Sequence, residues 1–287
     1  MRSAIGDNTT NFEGFAAEIR EKQDEEYSLG LAPTTRMKIS FVIPAYNEEE
    51  VIGVCLKAVT SEIARNAGEW DTEVIVVNNA SVDKTKEIAL SFPGVQVADE
   101  TRKGLVWARR AGYLASTGEL IANIDADTKM PVGWLKKVKY EFNRDSKLVA
   151  LSGPHIFYDA PLYTRAISRL FYIVGFVFDK MSEFLFKNGS MLQGGNFVLR
   201  REAMEKIGGF DTSIEFYGED IDIGRRMHRI GTVKWTFALP IYASGRRFVK
   251  QGILKTGLLY MMNYLWESFF KKPLSTTYED IRLKKKD

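Results

Sequence analysis

The stretch KISFVIPAYNEEEVIGVCLKAVTSEIARN, residues 38–66, carries two consecutive patterns that decide the fold class. Residues 38–44 form a short run rich in β-branched and aromatic residues that ends in a proline, which is typical of a buried strand. Residues 48–66 open with three acids and then repeat apolar residues at helical spacing, as at the start of a helix. The stretch therefore predicts a strand followed by a helix.

The same alternation continues towards the C-terminus. Strands are predicted at 72–80, 95–99 and 119–124, with helices at 81–92 and 104–117 between them. This order predicts an α/β fold with a mostly parallel central sheet flanked by helices. Ligands of such sheets bind beyond the carboxyl ends of the strands.

After Pro131 the pattern becomes less regular. The predicted elements are a helix at 134–145, a strand at 147–153, a Gly turn with a strand and a short helix at 193–210, a helix at 216–231 and a strand at 233–237. Two aromatic-rich segments, 160–187 and 252–273, are predicted to be helical, and the second forms a C-terminal helical extension.

The composition excludes several classes of function. Hydrophobic residues make up 45% of the chain, and the net charge of +3 fits an anionic ligand but is too small to indicate nucleic acid. One cysteine, Cys55, offers no disulfide framework, and two histidines, His155 and His228, make a multi-histidine zinc site implausible. We expect both histidines to be core or surface residues. A signal-peptide pattern and a long apolar run are both missing from the sequence, so we expect a cytoplasmic protein without a spanning helix.

Two carboxylates, Asp125 and Asp127, follow the apolar strand 119–124 directly in ELIANIDADTKMP. They could simply form a turn, since aspartate hydrogen-bonds its own backbone there. They could equally ligate Mg²⁺ or Mn²⁺, which prefer oxygen ligands. A second pair with the same spacing occurs at Asp220 and Asp222, so the motif alone does not decide.

Six segments in order resemble the family 2 glycosyltransferases of GT-A fold, over residues 38–247. They are FVIPAYNEEEVI, VVNNASVDKT, KGLVWARRAG, NIDADT, GGNFVLRREAMEKIGGFD and GEDIDIGRRMHRIG. The resemblance implies transfer of a sugar from a nucleotide-diphosphate sugar to an acceptor with inversion, assisted by Mn²⁺ or Mg²⁺. It also implies that Asp127 contacts the metal, and that Asp125 contacts the ribose of the donor or a metal-bound water.

The resemblance assigns further residues of the site. It places Pro44, Tyr46, Asn47 and Glu48 along the nucleoside, although Pro44 could merely stop a strand and Glu48 could merely favour a helix N-terminus. The remaining contacts to the nucleotide sugar are Asn78, Asn79, Lys103, Arg109, Gly194 and Gly195.

Asp220 is the implied general base, and Glu219 precedes it in the same catalytic motif. An acid there is explained by the need to take the proton of the acceptor hydroxyl. Alternatively, both acids could complement a helix N-terminus, and we interpret Asp222 as structural.

The sequence departs from the family pattern at three places. Asn78 and Asn79 stand where Asp-Asp or Asp-Asn is usual, which puts the identity of the donor base in doubt. The late histidine of many relatives is missing, so that Arg246 and Arg247 could share in charge neutralisation. The Q-x-x-R-W signature of processive enzymes is also missing, and we expect one sugar per encounter.

These expectations divide the chain into four parts. A polar extension (1–36), with a short helix at 13–25, precedes a nucleotide-sugar-binding half (37–155) and an acceptor-binding and catalytic half (156–250) of the same domain. An amphipathic helix with a basic tail (251–287) follows.

The acceptor is a saccharide or a lipid-linked molecule, in keeping with synthesis of cell-envelope polysaccharide. The two aromatic-rich helices could meet the inner face of a membrane, or they could pack on the sheet or form a homodimer.

Four other functions are alternatives to this prediction. A polyprenyl-phosphate sugar transferase would not need Asp220, because its acceptor is already ionised. A non-catalytic nucleotide-sugar-binding protein is disfavoured by the intact G-E-D, and a nucleotidyltransferase would want a Gly- and Lys/Arg-rich loop after the first strand. A dehydrogenase is discarded, because G-x-G-x-x-G is missing from that position.

Overall fold

The computed structural model describes residues 36–186, 191–214 and 218–270. The strands in these ranges are β1 (Met37–Ala45), β2 (Trp70–Asn79), β3 (Val95–Glu100), β4 (Leu120–Ile124), β5 (Thr128–Lys129), β6 (Leu148–Ser152), β7 (His155–Phe157), β8 (Asn196–Arg200), β9 (Thr232–Trp235) and β10 (Ile241–Ala243). The helices are α1 (Ile52–Arg65), α2 (Thr85–Leu90), α3 (Leu105–Ala115), α4 (Trp134–Arg144), α5 (Leu162–Phe186), α6 (Arg201–Lys206), α7 (Glu219–His228), α8 (Arg246–Gln251) and α9 (Ile253–Phe270).

The main sheet has the order β3-β2-β1-β4-β8-β6-β9. β1 pairs in parallel with β2 on one side and β4 on the other, which confirms the predicted parallel core. β8 is antiparallel to both β4 and β6. Because β8 comes from the second half of the sequence and lies between strands of the first, the two halves share one sheet.

The core occupies both faces of this sheet. Phe41 and Ile43 of β1 pack on one face with Trp134, and Val42 packs on the other face with Phe197. Successive side chains of a strand point to opposite faces, so a strand covered on both sides needs apolar residues at every position. This explains why β1 is apolar from Ile39 to Ala45 except at the buried Ser40, whose hydroxyl donates to Glu73.

A small second sheet, β5-β10-β7, was not predicted. Its strands have only two or three residues, which is too short for a periodic pattern. The Ser244 backbone N–H, directly after β10, donates to the Asp127 carbonyl at 3.2 Å. The sheet thus fixes the turn that holds Asp125 and Asp127 against the segment that carries Arg246.

Several predicted boundaries are wrong. α1 begins at Ile52 and has no acid in its first turn, and α2 begins at Thr85, not at residue 81. α9 is less amphipathic than predicted, because apolar residues lie on its buried and its exposed sides. The predicted helix 13–25, the rest of the extension up to residue 35 and the basic tail beyond residue 270 lie outside the described residues. None of the described helices is both long and apolar enough to span a membrane.

Candidate active site

A cavity of about 840 Å³ opens beyond the carboxyl ends of β1 and β4. This volume is within the usual range for sites that bind small molecules. Its polar end is lined by eleven of the residues expected at the site, namely Pro44, Tyr46, Glu48, Asn79, Lys103, Arg109, Asp125, Asp127, Gly194, Glu219 and Asp220. The chain therefore brings these residues together from positions up to 176 apart in the sequence.

Arg109 is the buried cation at the centre of this end, with only 1% of its side chain exposed. It projects from α3 and donates to Glu219 in a short hydrogen bond, and its Nη2 lies 3.4 Å from Asp125 Oδ1. A buried guanidinium requires paired carboxylates, because an isolated buried charge is costly. Arg109 thus joins the acids after β4 to the acids of α7.

Asp220 is held by backbone donors. The N–H of Gly194 donates to its Oδ2 at 2.9 Å, and the N–H of Ile221 donates to its Oδ1 at 3.0 Å. Burial raises the pKa of Asp220, and the guanidinium of Arg109 and the backbone donors offset that rise only in part. Burial also raises the pKa of Glu219, against the guanidinium of Arg109. Raised pKa values give these carboxylates a stronger affinity for a proton.

Asp127 and Glu48 share a second cation. Arg246 Nη2 lies 3.1 Å from Asp127 Oδ2 and 2.8 Å from Glu48 Oε1. Glu48 is 4% exposed and the Arg246 side chain is 31% exposed, so the ion pair is buried on the side of the carboxylate. Glu48 lies four residues before the first residue of α1, and its carbonyl accepts from the N–H of Ile52. The sequence pointed to Arg246 as a source of positive charge, but its pairing with Glu48, 198 positions away, could not be anticipated.

The turn after β4 is built tightly. The carbonyl of Asp125 accepts from both the N–H and the hydroxyl of Thr128, so the turn interpretation of the two acids is correct as far as the backbone is concerned. Gly195 has φ +77°, and a Cβ there would lie 2.1 Å from Asp125 Oδ2. Gly195 therefore provides the close approach that positions the Asp125 carboxylate.

Tyr46 lies at the other end of the polar wall. Lys103 Nζ donates to its hydroxyl at 2.9 Å and is 4.1 Å from the centre of its ring. Both side chains line the cavity, and an aromatic ring with an adjacent ammonium can stack on a base and attract a phosphate.

The three asparagines occupy different positions. Asn79 lines the cavity, but its amide is bonded to the carbonyls of Glu100 and Arg102 and to the N–H of Gly104. Asn47 does not line the cavity. It has φ +51°, and its side chain accepts from the N–H of Val82. These contacts hold loops in place.

Asn78 also lies outside the cavity wall. Its Nδ2 donates to Asp99 Oδ1 at 2.8 Å, across the register of β2 and β3. Its Oδ1 is buried and has no hydrogen-bond partner in the protein. Asn78 therefore keeps one acceptor and adjoins a carboxylate on the next strand.

His155 lines the cavity, although the sequence indicated a core or surface residue. Burial lowers the pKa of His155 to about 4, so the imidazole is neutral at neutral pH, and its Nε2 has no hydrogen-bond partner in the protein. It begins β7, a strand of three residues without a sequence signal. Asp222, by contrast, ion-pairs with Arg225 and Arg226 at 2.6 and 2.7 Å, in keeping with a structural role.

The carboxylate ligands of the site suit a divalent metal that also binds the substrate. Within the described ranges, no cluster of three or more His, Cys, Asp or Glu side chains could hold an ion alone. Asp125 and Asp127 both line the cavity, and their side chains are 34% and 19% exposed. Mg²⁺ and similar ions are commonly bound by one or two carboxylates together with phosphates of the substrate, so the residues fit such an ion.

The mostly parallel sheet flanked by helices, with paired acids after β4 at the carboxyl ends of its strands, has the GT-A fold. The family model described as glycosyl transferase family 2 matches residues 40–208, which is more than half of the chain. The chain belongs to this family.

Similar proteins include glycosyltransferase AglE of Haloferax volcanii, 30% identical over 60% of this chain and 55% of that protein. The probable glycosyltransferase YdaM of Bacillus subtilis is 29% identical over 68% of this chain and 47% of that protein. The chain thus spans about half the length of the curated relatives it matches.

Two groups of solved structures share the fold. The mannosyltransferase PcManGT of Pyrobaculum calidifontis, in complex with GDP-Man and Mn²⁺, has a TM-score of 0.62 and 21% identity over 91% of this chain and 73% of that one. Glucosyl-3-phosphoglycerate synthase of Mycobacterium tuberculosis, in complex with Mn²⁺ and UDP-glucose, has a TM-score of 0.56 and 18% identity over 81% of this chain and 79% of that one.

Proposed function

We propose that this protein transfers a sugar from a nucleotide-diphosphate sugar to an acceptor hydroxyl with inversion, and that Asp220 is the general base. One observation carries the proposal: Asp220 and Asp125 line one cavity with the buried Arg109, which hydrogen-bonds to Asp125 and acts on Asp220 through its charge. The site thus contains a base with a raised pKa, Asp220, in the same cavity as Asp125 and Asp127, which suit a metal bound to a diphosphate.

The reaction balances with these groups. Asp220 takes the proton of the acceptor hydroxyl, whose oxygen attacks the anomeric carbon of the donor. The bond between that carbon and the diphosphate oxygen breaks, and the nucleoside diphosphate leaves with the electron pair. Attack from the side opposite the leaving group inverts the anomeric configuration.

Positive charge at the polar end supports departure of the diphosphate. A Mn²⁺ or Mg²⁺ ion held by Asp127 and Asp125 would neutralise charge on the leaving group. Arg246, already 3.1 Å from Asp127, places a permanent cation beside the same carboxylate. The mannosyltransferase and the synthase named above are each solved with Mn²⁺ and a sugar nucleotide, which supports this assignment.

The remaining assignments complete the proposal. Pro44, Tyr46 and Lys103 contact the nucleoside and the phosphates, Gly194 and Gly195 allow close approach of the donor sugar, and Glu219 orients Arg109. Residues 37–155 hold the donor, and residues 156–250 hold the acceptor. One sugar is transferred per encounter. A cytoplasmic location and a role in cell-envelope polysaccharide synthesis stay predictions from the sequence.

The test is release of nucleoside diphosphate from UDP-, GDP-, CDP- and dTDP-sugars in the presence of Mn²⁺, with water as a slow acceptor. Because water must lose a proton, we expect Asp220→Asn to slow release by about 10²- to 10⁴-fold. Asp71→Asn, at an exposed aspartate of β2, is the matched control and retains the rate. Release by Asp220→Asn at the wild-type rate would overturn the role of Asp220, and no release by the wild type would overturn the function.

A further inference from the structure

The cavity has a second, apolar end that a sugar nucleotide does not need. It is lined by Phe171, Tyr172 and Gly175 of α5 and by Ile253, Gly257 and Met261 of α9. The two helices approach closely, since a Cβ on Gly257 would lie 2.4 Å from the Phe171 ring. The cavity that contains Asp220 therefore extends to both helices, where Ser168 and Asn263 are polar among mostly apolar lining residues, and we call this part of it the groove.

The outer faces of the same two helices are apolar. On α5 the exposed side chains Tyr163, Leu170, Val174, Val177, Met181 and Phe184 follow one another at intervals of seven, four, three, four and three residues. On α9, Leu254, Leu258, Met262 and Trp266 follow at intervals of four. These spacings place each set on one side of its helix. We call these two sets the outer stripe.

The outer stripe is unusual for this molecule. Of the 22 exposed large apolar side chains among the described residues, thirteen lie on α5 and α9. Large apolar patches on a protein surface mark sites of contact with other molecules or with membranes.

The charge of the surrounding residues indicates whether a second protein molecule or a membrane covers the outer stripe. Helices α5, α8 and α9 carry seven basic and three acidic residues. Arg169, Lys250 and Lys255 among them are exposed, whereas the exposed Lys180 pairs with Glu183 at 2.6 Å. A surface that repeats itself in a homodimer would bring this positive charge against its own copy. Anionic lipid headgroups instead attract basic residues that flank an apolar helix face.

We propose that the acceptor is a lipid-linked molecule whose apolar chain enters the groove between α5 and α9 from an anionic bilayer on which the outer stripe rests. The inference rests on the proposed function, because it assigns the acceptor of that same site. It deepens the function by choosing a lipid-linked acceptor over a free saccharide. The chain lies in the groove, and the head of the lipid reaches Asp220 at the polar end.

Gly175 offers a direct test of the groove. It lies on α5 and lines the cavity, and a Cβ there would lie 3.5 Å from Met191 Cε, an ordinary contact. Leucine is a better helix former than glycine, so Gly175→Leu fills the groove without weakening the helix.

The experiment follows transfer of labelled sugar into vesicles of phosphatidylglycerol and phosphatidylcholine. One set contains a polyprenyl phosphate, and the other contains a polyprenyl-diphosphate-linked sugar. We expect the wild type to label at least one of these lipids. Gly175→Leu should lower the ratio of lipid labelling to donor hydrolysis by about 10- to 200-fold, the range for a group that does not fit an apolar pocket.

The outer stripe has its own variants. Val174→Glu with Leu258→Glu changes two side chains that are 46% and 48% exposed, and vesicle flotation and lipid labelling should both fall. Val54→Glu, at a 48% exposed position near the start of α1, is the matched control and leaves both unchanged.

The outcomes separate the two proposals. Hydrolysis of a donor without labelling of either lipid would overturn this inference and leave the proposed function standing, whereas no hydrolysis at all would overturn the function. A stable dimer that does not float, measured by sedimentation, would assign the outer stripe to a second copy. With either lipid the groove is supported. Asp220→Asn then distinguishes an acceptor phosphate from an acceptor hydroxyl on the lipid, because an ionised phosphate acceptor does not need the general base.

Discussion

Replacing Gly195 by alanine tests whether Gly195 positions the Asp125 carboxylate, once the effect of backbone strain alone is known from a control. Gly195 has φ +77°, a conformation that costs an L-residue about 1–2 kcal/mol. The added Cβ would also lie 2.1 Å from Asp125 Oδ2, so the carboxylate must move by more than 1 Å to reach an ordinary contact of at least 3.4 Å. A displacement of about 1 Å at a reacting centre can cost about 10²-fold in rate.

Gly208→Ala is the matched control. Gly208 has φ +78°, and a Cβ there would meet no atom within 4 Å, so the variant has the same strain without the clash. Both variants should lose about 1–2 kcal/mol of stability, and each kcal/mol lowers the Tm of a domain of this size by roughly 2–4 °C.

Steady-state kinetics of donor turnover give the decisive comparison. We expect Gly208→Ala to retain the wild-type kcat/KM and Gly195→Ala to lose about 10²-fold, well beyond the effect of shared strain. Equal kcat/KM values for the two variants would refute the argument that Gly195 positions Asp125 for the reaction.

Three further predictions follow from the charges of the site. The rate of the wild type should fall as pH drops through the raised pKa of Asp220, because the base must be ionised, and the Asp220→Asn rate should lack that fall; equal pH profiles would contradict the role of Asp220. Burial lowers the pKa of His155 from 6.5 to about 4. Its contribution to the free energy of unfolding is therefore fully present above pH 6.5. As the pH falls from 6.5 towards 4, the unfolded chain takes up a proton that the folded chain does not, and this contribution, at most about 3 kcal/mol, is lost. Urea unfolding of His155→Gln should therefore show a weaker loss of stability over that window, and an unchanged slope would count against a buried neutral imidazole. Arg246→Gln removes the guanidinium that pairs with the buried carboxylate of Glu48 and should cost at most about 3 kcal/mol, of which the double variant with Glu48→Gln recovers a part; a double variant as unstable as the sum of the two single variants would exclude their coupling.

The order of strands and helices could be predicted because it depends on local patterns. β1 and α1 have apolar residues at spacings that each element requires, and their existence follows from the sequence even where the boundary does not. The antiparallel pairing of β8 with β4 and β6 depends on contacts between distant segments, which local patterns do not reveal. The strands β5, β7 and β10 are too short for any period to show.

The site could be predicted as far as its motifs extend. Asp125 and Asp127 stand after a buried strand, so their place on the cavity wall follows from the parallel sheet. The structure adds what motifs do not encode, namely the pairing of Glu48 with Arg246 and the position of His155 on the wall. For Asn79, the family pattern indicated a ligand, but its amide bonds to neighbouring backbone groups.

We expect the acids after β4 to bind a nucleotide diphosphate with the help of a metal. Calorimetric titration of UDP, GDP, CDP and dTDP tests it, with and without Mn²⁺, on the wild type and Asp127→Ala. We predict saturable binding of one nucleotide that requires Mn²⁺ and is lost in the variant. Binding of none of them, or binding that needs neither Mn²⁺ nor Asp127, would contradict the account.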